Sequence, residues 1–266
     1  MMYTKSPEEI EKIRKSSLLV SQTLATVAAY IKPGTPTAKL DAIAEEFILD
    51  NGAKPAFKGY RGFPASLCIS TNEQVVHGIP GERVIREGDV ISVDCGVSKD
   101  GYFGDSAFTF PVGEVAPEVI KLLQVTYNSL FLGIEKAVAG NRIGDIGFAI
   151  QDYTEYQHKY GVVRDLIGHG IGKNLHELPD VPNFGKRGKG ILLQEGLTIA
   201  IEPMINLGTW EVKQLPDKWT IVTRDGKPSA HYEHTVAVKR GKADVLSDHN
   251  LIFEALKKSE YVKDFR

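Results

Sequence analysis

The sequence predicts an α+β fold made of two similar halves around a shared sheet. Two pairs of helical segments are each followed by short β-like runs, so the order helix, helix, strands occurs twice. Gly34 and Gly140 each precede, at equal spacing, an apolar residue that opens the second helix of its pair. No change of composition marks a linker. We therefore expect one domain over residues 1–266, with halves at roughly 6–110 and 117–240.

The first half opens with two helices. Ser6 is suited to cap the first helix, Pro7 to occupy its first position, and Glu9 to complete a capping box. A helical apolar pattern follows until "KPG" interrupts it. The second helix is expected from about Thr37 to the "NG" pair that ends its pattern.

Strands and a second helix pair follow. The runs "SLCIST", "VISVDCGV" and "YFGDSAFTF" have the composition of strands. Helical patterns then cover roughly residues 117–138 and 143–160. The C-terminal part contains two further predicted strands, "LTIAIEPM" and "HYEHTVAV".

Composition excludes several classes of function. A hydrophobic content of 42%, a charged content of 25% and a net charge of −2 describe an ordinary globular chain with no basic footprint for nucleic acid. No apolar signal core or membrane-spanning run is visible, so a cytoplasmic protein without a membrane partner is expected. Cys68 and Cys95 form no CxxC pair, which argues against a thiolate zinc site or a disulfide framework.

One predicted hairpin carries an aspartate on each arm. In "VDCGVSKDGYFGDSAF", Asp100-Gly101 is a turn signal, and taking these two as the turn places Asp94 opposite Ala107. Asp105 then lies diagonally from Asp94 on the same face of the sheet. Two explanations remain open at this point, a solvated polar face and a metal site.

Other residues favour the metal site. "IGHGIG" surrounds His169 with glycines, as occurs where backbone runs close to a site, and His176 follows in "LHELP". Glu202 and Glu233 are single carboxylates on two predicted strands. Four strand-borne acids with a glycine-flanked histidine are difficult to explain as independent accidents.

These residues form an ordered set of motifs. "HGIP" at His77, the two hairpin aspartates, "GHGIG" with a later histidine, "IEPM" and "YEHT" resemble the motifs of type I methionine aminopeptidases of the bacterial kind. The match extends from the first helix to about Val238. It implies the pita-bread fold, in which two pseudo-symmetric α+β halves form a central antiparallel sheet covered by helices.

The resemblance also implies a dinuclear metal site. Asp94 would bind one divalent cation, His169 and Glu202 the other, and Asp105 and Glu233 would bridge both. Carboxylates with a single imidazole favour Mn(II), Fe(II) or Co(II) over a closed thiolate zinc site. The sequence leaves the native metal open.

The same resemblance implies how the site residues would take part in the reaction and in substrate binding. A water molecule activated by the metals would attack the peptide bond, with Glu202 moving its proton to the leaving amine. His176 would hydrogen-bond the carbonyl oxygen and His77 would position the peptide backbone. The methionine pocket would be formed by Tyr60, Phe63, Cys68 and Trp219, with Phe57 and Leu175 at its flanks. Some bacterial relatives have Cys in place of Phe57 and Phe in place of Leu175.

The implied activity is removal of N-terminal methionine from nascent polypeptides when the next residue is small. A transient association with the ribosome is expected, and the family is mostly monomeric. Two alternatives are a pita-bread peptide-binding protein that has lost catalysis and a proline-directed aminopeptidase of the same fold. Residues that can bind metal are present at all five ligand positions, which disfavours the first alternative. Proline-directed relatives usually carry an additional N-terminal domain, which disfavours the second.

Overall fold

The computed structural model describes residues 3–266 of the chain. The α-helices are α1 (Pro7–Ala28), α2 (Thr37–Asp50), α3 (Pro117–Ile134), α4 (Ile143–Gln151) and α5 (Asn250–Leu256). The strands of the first half are β1 (Lys54–Pro55), β2 (Leu67–Thr71), β3 (Gln74–Val76), β4 (Val90–Lys99) and β5 (Tyr102–Pro111). Those that follow α4 are β6 (Gly161–Val162), β7 (Gly168–Gly170), β8 (Glu177–Val181), β9 (Thr198–Ile201), β10 (Met204–Asn206), β11 (Val212–Gln214), β12 (Ile221–Thr223), β13 (Ser229–His231), β14 (His234–Ala237) and β15 (Asp244–Val245).

Each helix pair precedes its own antiparallel sheet. The first half contributes the order β1-β4-β2, with β5 paired to β4. The second half contributes β15-β14-β9-β7-β8 and the smaller sheet β13-β10-β6. The strands β11, β12 and β3 form a further small sheet that joins the two halves of the chain. Among residues 3–266, no helix has both the length and the hydropathy that crossing a bilayer requires.

The predicted start of α1 is confirmed. The Glu9 N–H donates to the Ser6 hydroxyl at 3.3 Å, and the Ser6 N–H donates to the Glu9 carboxylate at 2.9 Å, with Pro7 as the first helical residue. The helix packs closely on the hairpin of β4 and β5. A Cβ added at Gly104 of β5 would lie 2.3 Å from the backbone nitrogen of Ser17, so the contact requires glycine.

The hairpin register is also confirmed. Asp100 and Gly101 have φ angles of 52° and 78°, as a two-residue type I′ turn requires. Lys99 then pairs with Tyr102, and Asp94 with Ala107. The alternate residues of β4 point into the core and are fully buried; they are Ile91, Val93, Cys95 and Val97.

Two helical predictions were too long. α3 ends at Ile134, short of residue 138, because the Ala139 N–H donates to the Lys239 carbonyl at 3.0 Å and no longer to a helical carbonyl. α4 ends at Gln151, and a π-helical turn covers Asp152–Gln157. The first segment therefore leaves the helical path earlier than its apolar pattern predicts, whereas the second changes from an α-helix to a π-helix before it ends.

The two C-terminal strands were wrongly predicted as uninterrupted. β9 ends before Glu202, and Pro203, which has no N–H to donate, separates it from β10. Likewise Tyr232 and Glu233 separate β13 from β14. β9 pairs with β14 in one sheet, while β10 pairs with β13 in another. The two segments β9–β10 and β13–β14 therefore form a two-stranded ribbon that passes from one sheet to the other, and it bends at Glu202 and Glu233.

Candidate metal centre

The hairpin supplies the first two carboxylates of the site. Asp94 on β4 pairs with Ala107, and Asp105 on β5 pairs with Gly96, so both side chains leave the same face of the sheet. Asp105 is only 3% exposed. The turn between the strands fixes this register and thereby brings the two carboxylates together.

The bend between β13 and β14 supplies Glu233. Its N–H donates to the carbonyl of Ala107 at 3.0 Å, and the Ser106 hydroxyl donates to the Glu233 carbonyl at 2.6 Å. The Thr235 hydroxyl donates to the Asp105 carbonyl at 2.8 Å. These bonds attach the bend directly to β5, which holds Glu233 beside Asp105.

Glu202 lies at the matching bend of the other strand. The side-chain amide of Asn183 donates to its backbone carbonyl at 2.9 Å. One carboxylate oxygen, Oε1, is 3.6 Å from Nε2 of His169, and the other, Oε2, is 3.6 Å from Nε2 of His231. The carboxylate is thus flanked by an imidazole on each side.

His169 is positioned by the glycines around it. A Cβ at Gly168 would lie 2.4 Å from the carbonyl oxygen of Ala200, and one at Gly170 would lie 2.4 Å from that of Leu178. Nδ1 of His169 lies 2.9 Å from the carbonyl oxygen of Gly170, which can only accept. Nδ1 therefore carries the proton, and the lone pair on Nε2 faces the acidic residues.

The site brings several buried acidic groups close together, which makes it costly for all of them to carry a negative charge. Ligand atoms of Asp105, His169 and Glu233 all lie within 4.8 Å of one another. Burial raises the pKa of Asp94 and of Glu202 to about 7. Burial and then the neighbouring carboxylates raise the pKa values of Asp105 and Glu233 well above their usual range.

One oxygen each of Asp94, Asp105 and Glu233 is buried and has no hydrogen-bond partner among residues 3–266. Buried polar atoms without partners are costly, and buried like charges repel. Bound divalent cations would satisfy these atoms and neutralise the charge. The donor set of carboxylate oxygens and one imidazole lone pair fits such ions, with Mn(II), Fe(II) and Co(II) among the suitable metals.

All the predicted site residues line one cavity. Its lining consists of Asp94, Asp105, His169, Glu202 and Glu233, the histidines His77 and His176, the pocket residues Phe57, Tyr60, Phe63, Cys68, Leu175 and Trp219, and Arg61. The acidic cluster and the apolar residues therefore open onto a common space.

The apolar part of this cavity is a compact cluster. The rings of Phe63 and Trp219 meet edge to face with centroids 5.1 Å apart. Phe57 and Leu175 are buried in the same cluster, and Phe57 lies over Gly96, where a Cβ would be only 2.6 Å from the ring. Burial raises the pKa of the Cys68 thiol, so this side chain is a neutral, apolar part of the wall.

Two further histidines face the cavity. His77 has a φ of 58°, and its ring meets that of Trp219 edge to face at 6.5 Å. Burial lowers the pKa of His77 to about 4. For His176, partial burial and then the neighbouring His169 lower the pKa. Both imidazoles are therefore neutral near pH 7.

Sequence reasoning missed two residues of the site. His231 is 1% exposed, and neither of its ring nitrogens has a hydrogen-bond partner among residues 3–266. The available signal was its position two residues before Glu233 in the same predicted strand, which places both side chains on one face. Arg61 lies between Tyr60 and Phe63, and the glycines on either side of the Tyr60-Arg61 pair were the available signal.

Comparisons with known proteins identify the family of this chain. The profile of metallopeptidase family M24 matches residues 11–240. A methionine aminopeptidase of Clostridium acetobutylicum is 51% identical over 93% of this chain and 99% of its own length. The crystal structure of a methionine aminopeptidase from Thermotoga maritima superposes with a TM-score of 0.91 and 40% identity, covering 93% of this chain and all of that one.

A more distant structure, a prolidase from Pyrococcus furiosus, has a TM-score of 0.75 and 22% identity, covering 92% of this chain and 65% of that chain. At this identity the likeness concerns the fold alone. Together the comparisons confirm both the predicted pita-bread fold and the family resemblance read from the sequence motifs.

Proposed function

The chain belongs to metallopeptidase family M24 and, within it, to the methionine aminopeptidases, and we propose that it removes N-terminal methionine when the next residue is small, using two divalent metal ions. The observation that carries the proposal is that an acidic cluster and an apolar pocket lie side by side in one cavity. Four carboxylates and the lone pair of His169 converge beside an apolar pocket lined by Phe63 and Trp219.

The metal ligands divide into end and bridging positions. Asp94 would hold one ion, His169 and Glu202 would hold the other, and Asp105 with Glu233 would contact both. The partnerless buried oxygens of the three acids on this hairpin and its attached bend support their role as ligands. When bound, such a metal pair polarises the scissile carbonyl and lowers the pKa of a water molecule.

The protein's own groups then orient the substrate and move protons. Glu202 has one oxygen toward His169 and the other toward His231. Beside the reacting bond, this carboxylate would pass the proton of the attacking water to the leaving amine. His176, neutral and at the cavity, would donate a hydrogen bond to the carbonyl oxygen as charge develops there. His77, held over the same cavity, would contact the peptide backbone and position it.

The apolar residues would determine the choice of substrate. A slot with little polar character, which suits an unbranched, polarisable methionine side chain, is formed by Tyr60, Phe63, Cys68 and Trp219, with Phe57 and Leu175 at its flanks. A branched leucine must fit a different shape, and a missing methylene costs about 1–3 kcal/mol. A large second residue would crowd the reacting carbonyl and spoil the attack geometry.

We further propose that the enzyme acts in the cytoplasm as a monomer on nascent polypeptides, with transient ribosome association. The free, buried thiols of Cys68 and Cys95 are consistent with a reducing compartment.

The test is kcat/KM for Met-Ala, Met-Gly, Met-Lys and Leu-Ala peptides, measured with metal-free protein and after addition of Mn(II), Fe(II) or Co(II). We expect metal-dependent release of methionine from the first two peptides and little cleavage of the others. Comparable values for Leu-Ala and Met-Ala would indicate a general aminopeptidase, and rapid cleavage of Met-Lys would remove the small-neighbour rule.

The same assay separates the alternatives. Cleavage that requires proline in the second position, whatever the first residue, would identify a proline-directed enzyme. Peptide binding without hydrolysis under every metal condition would identify an inactive relative. Glu202→Gln is the matched control, since it keeps the shape of the side chain but should lose turnover.

A further inference from the structure

Two of the histidines that line the cavity, His169 and His176, differ in what their Nδ1 atoms contact. The rings of His169 and His176 are close, with centroids 4.1 Å apart. Nδ1 of His169 faces the carbonyl oxygen of Gly170, a pure acceptor, whereas Nδ1 of His176 lies 2.9 Å from the hydroxyl of Tyr60, which can donate. Since the partner of one ring nitrogen decides what the other can do, the carbonyl of Gly170 fixes the proton of His169 on Nδ1, whereas the contact with Tyr60 is compatible with either tautomer of His176.

The hydroxyl of Tyr60 has no other hydrogen-bond partner among residues 3–266. If it donates to Nδ1 of His176, both groups are satisfied and the imidazole proton lies on Nε2. The reverse arrangement, with Nδ1 donating to the phenol, would leave a lone pair on Nε2 and no donor for a substrate. We propose that Tyr60 holds His176 as the Nε2–H tautomer, the form that can donate a hydrogen bond to the scissile carbonyl oxygen.

The local backbone supports a positioning role for Tyr60. The residues around it, Gly59, Arg61 and Gly62, all have positive φ angles, of 84°, 50° and 89°. Such a conformation is uncommon for a non-glycine residue such as Arg61, and it occurs often at functional sites. The turn is closed by a hydrogen bond from the Gly59 N–H to the Phe63 carbonyl at 2.8 Å.

The turn also stacks the two rings. The centroids of Tyr60 and His176 are 5.2 Å apart with an interplanar angle of 22°. The ring of Tyr60 therefore contributes apolar surface, and its hydroxyl contributes the hydrogen bond. Tyr60→Phe removes only the hydroxyl, which makes the two contributions separable.

The proposal rests on the role of His176 in the proposed function, and its first test is independent of turnover. Ring-nitrogen NMR on ¹⁵N-histidine-labelled protein, both metal-free and loaded with diamagnetic Zn(II), reports which nitrogen carries the proton. The His176 signals are assigned by their loss in His176→Gln. We expect Nε2–H in the wild type and a mixture with Nδ1–H in Tyr60→Phe.

The matched control is Tyr160→Phe. Tyr160 is also half-buried but does not line the cavity, so this variant should keep the wild-type spectrum and turnover.

The second test is kinetic. Tyr60→Phe should lower kcat about 10–100-fold with little change in KM, because the affected hydrogen bond forms with the charge that develops in the transition state. In a His176→Gln background the same change should have no further effect on kcat.

A proton on Nδ1 of His176 in the wild type would overturn the proposal. So would unchanged tautomer signals in Tyr60→Phe, or equal effects of that substitution with and without His176. In each of these cases methionine release by the wild type would still support the proposed function. Conversely, the absence of methionine release with every metal would refute the proposed function, while the NMR result would still report the tautomer.

Discussion

Asp94→Asn should make the stability of the metal-free protein less sensitive to pH. Burial raises the pKa of Asp94 from 3.8 to about 7, with the Glu202 carboxylate adding to the effect and His231 opposing it. The folded state thus binds this proton more tightly than the unfolded chain does. The stabilisation is complete below the unfolded pKa and is lost as the pH rises through the folded pKa.

The size of the effect follows from the shift. At about 1.36 kcal/mol per pKa unit, the full rise corresponds to about 4 kcal/mol, of which about 3 kcal/mol is lost between pH 5 and pH 8. The asparagine variant lacks this charge, so between pH 5 and pH 8 its melting temperature should fall by up to about 6–12 °C less than that of the wild type.

The assay is thermal unfolding, followed by circular dichroism, of protein freed of metal by chelation at pH 5 and pH 8. Asp50→Asn, which changes an exposed carboxylate at the end of α2, is the matched control and should follow the wild type. The reasoning is refuted if the metal-free wild type gains stability from pH 5 to pH 8, or if Asp94→Asn loses as much as the wild type.

Metal should reverse the pH trend in the wild type. Protons compete with cations for the carboxylates and the imidazole, so binding strengthens as the pH rises. A free metal concentration one hundredfold above Kd should stabilise the wild type by about 2.7 kcal/mol. A smaller response in Asp94→Asn at the same metal concentration would agree with the loss of a ligand.

Three other predictions concern the site and its support. Asp105→Asn and Glu233→Gln should abolish peptide hydrolysis and lower the bound metal measured by elemental analysis; full activity with wild-type metal content would contradict the bridging role. His176→Ala should lower kcat by roughly 10²–10³-fold, and His77→Ala should lower kcat/KM. Both variants should keep their bound metal, and loss of metal would identify the altered residue as a ligand. In Gly104→Ala the added Cβ would clash with the backbone of α1. This variant should therefore lower the free energy of unfolding by about 1–3 kcal/mol, measured in a denaturant titration. Unchanged stability would show that α1 can move aside.

Local chemistry explains why much of the site could be predicted. The turn residues Asp100 and Gly101 fix the hairpin register over a few residues, so the shared face of Asp94 and Asp105 could be derived by counting. The capping box of Ser6 and Glu9 is equally local. The order of the motifs along the chain was then enough to indicate the family and the fold.

Long-range contacts decided the remainder. Glu202 and Glu233 were expected within continuous strands, but they lie at bends where the ribbon passes between sheets, and hydrogen bonds from a distant strand hold Glu233 in place. The approach of His231 to Glu202 and the contact between Tyr60 and His176 bring together residues far apart in sequence. The sequence by itself determined which acidic and histidine side chains and which turns the chain contains, because those depend on residue type and on neighbours along the chain. Only the tertiary structure decided which atoms face one another, because those distances depend on how separate strands and turns pack.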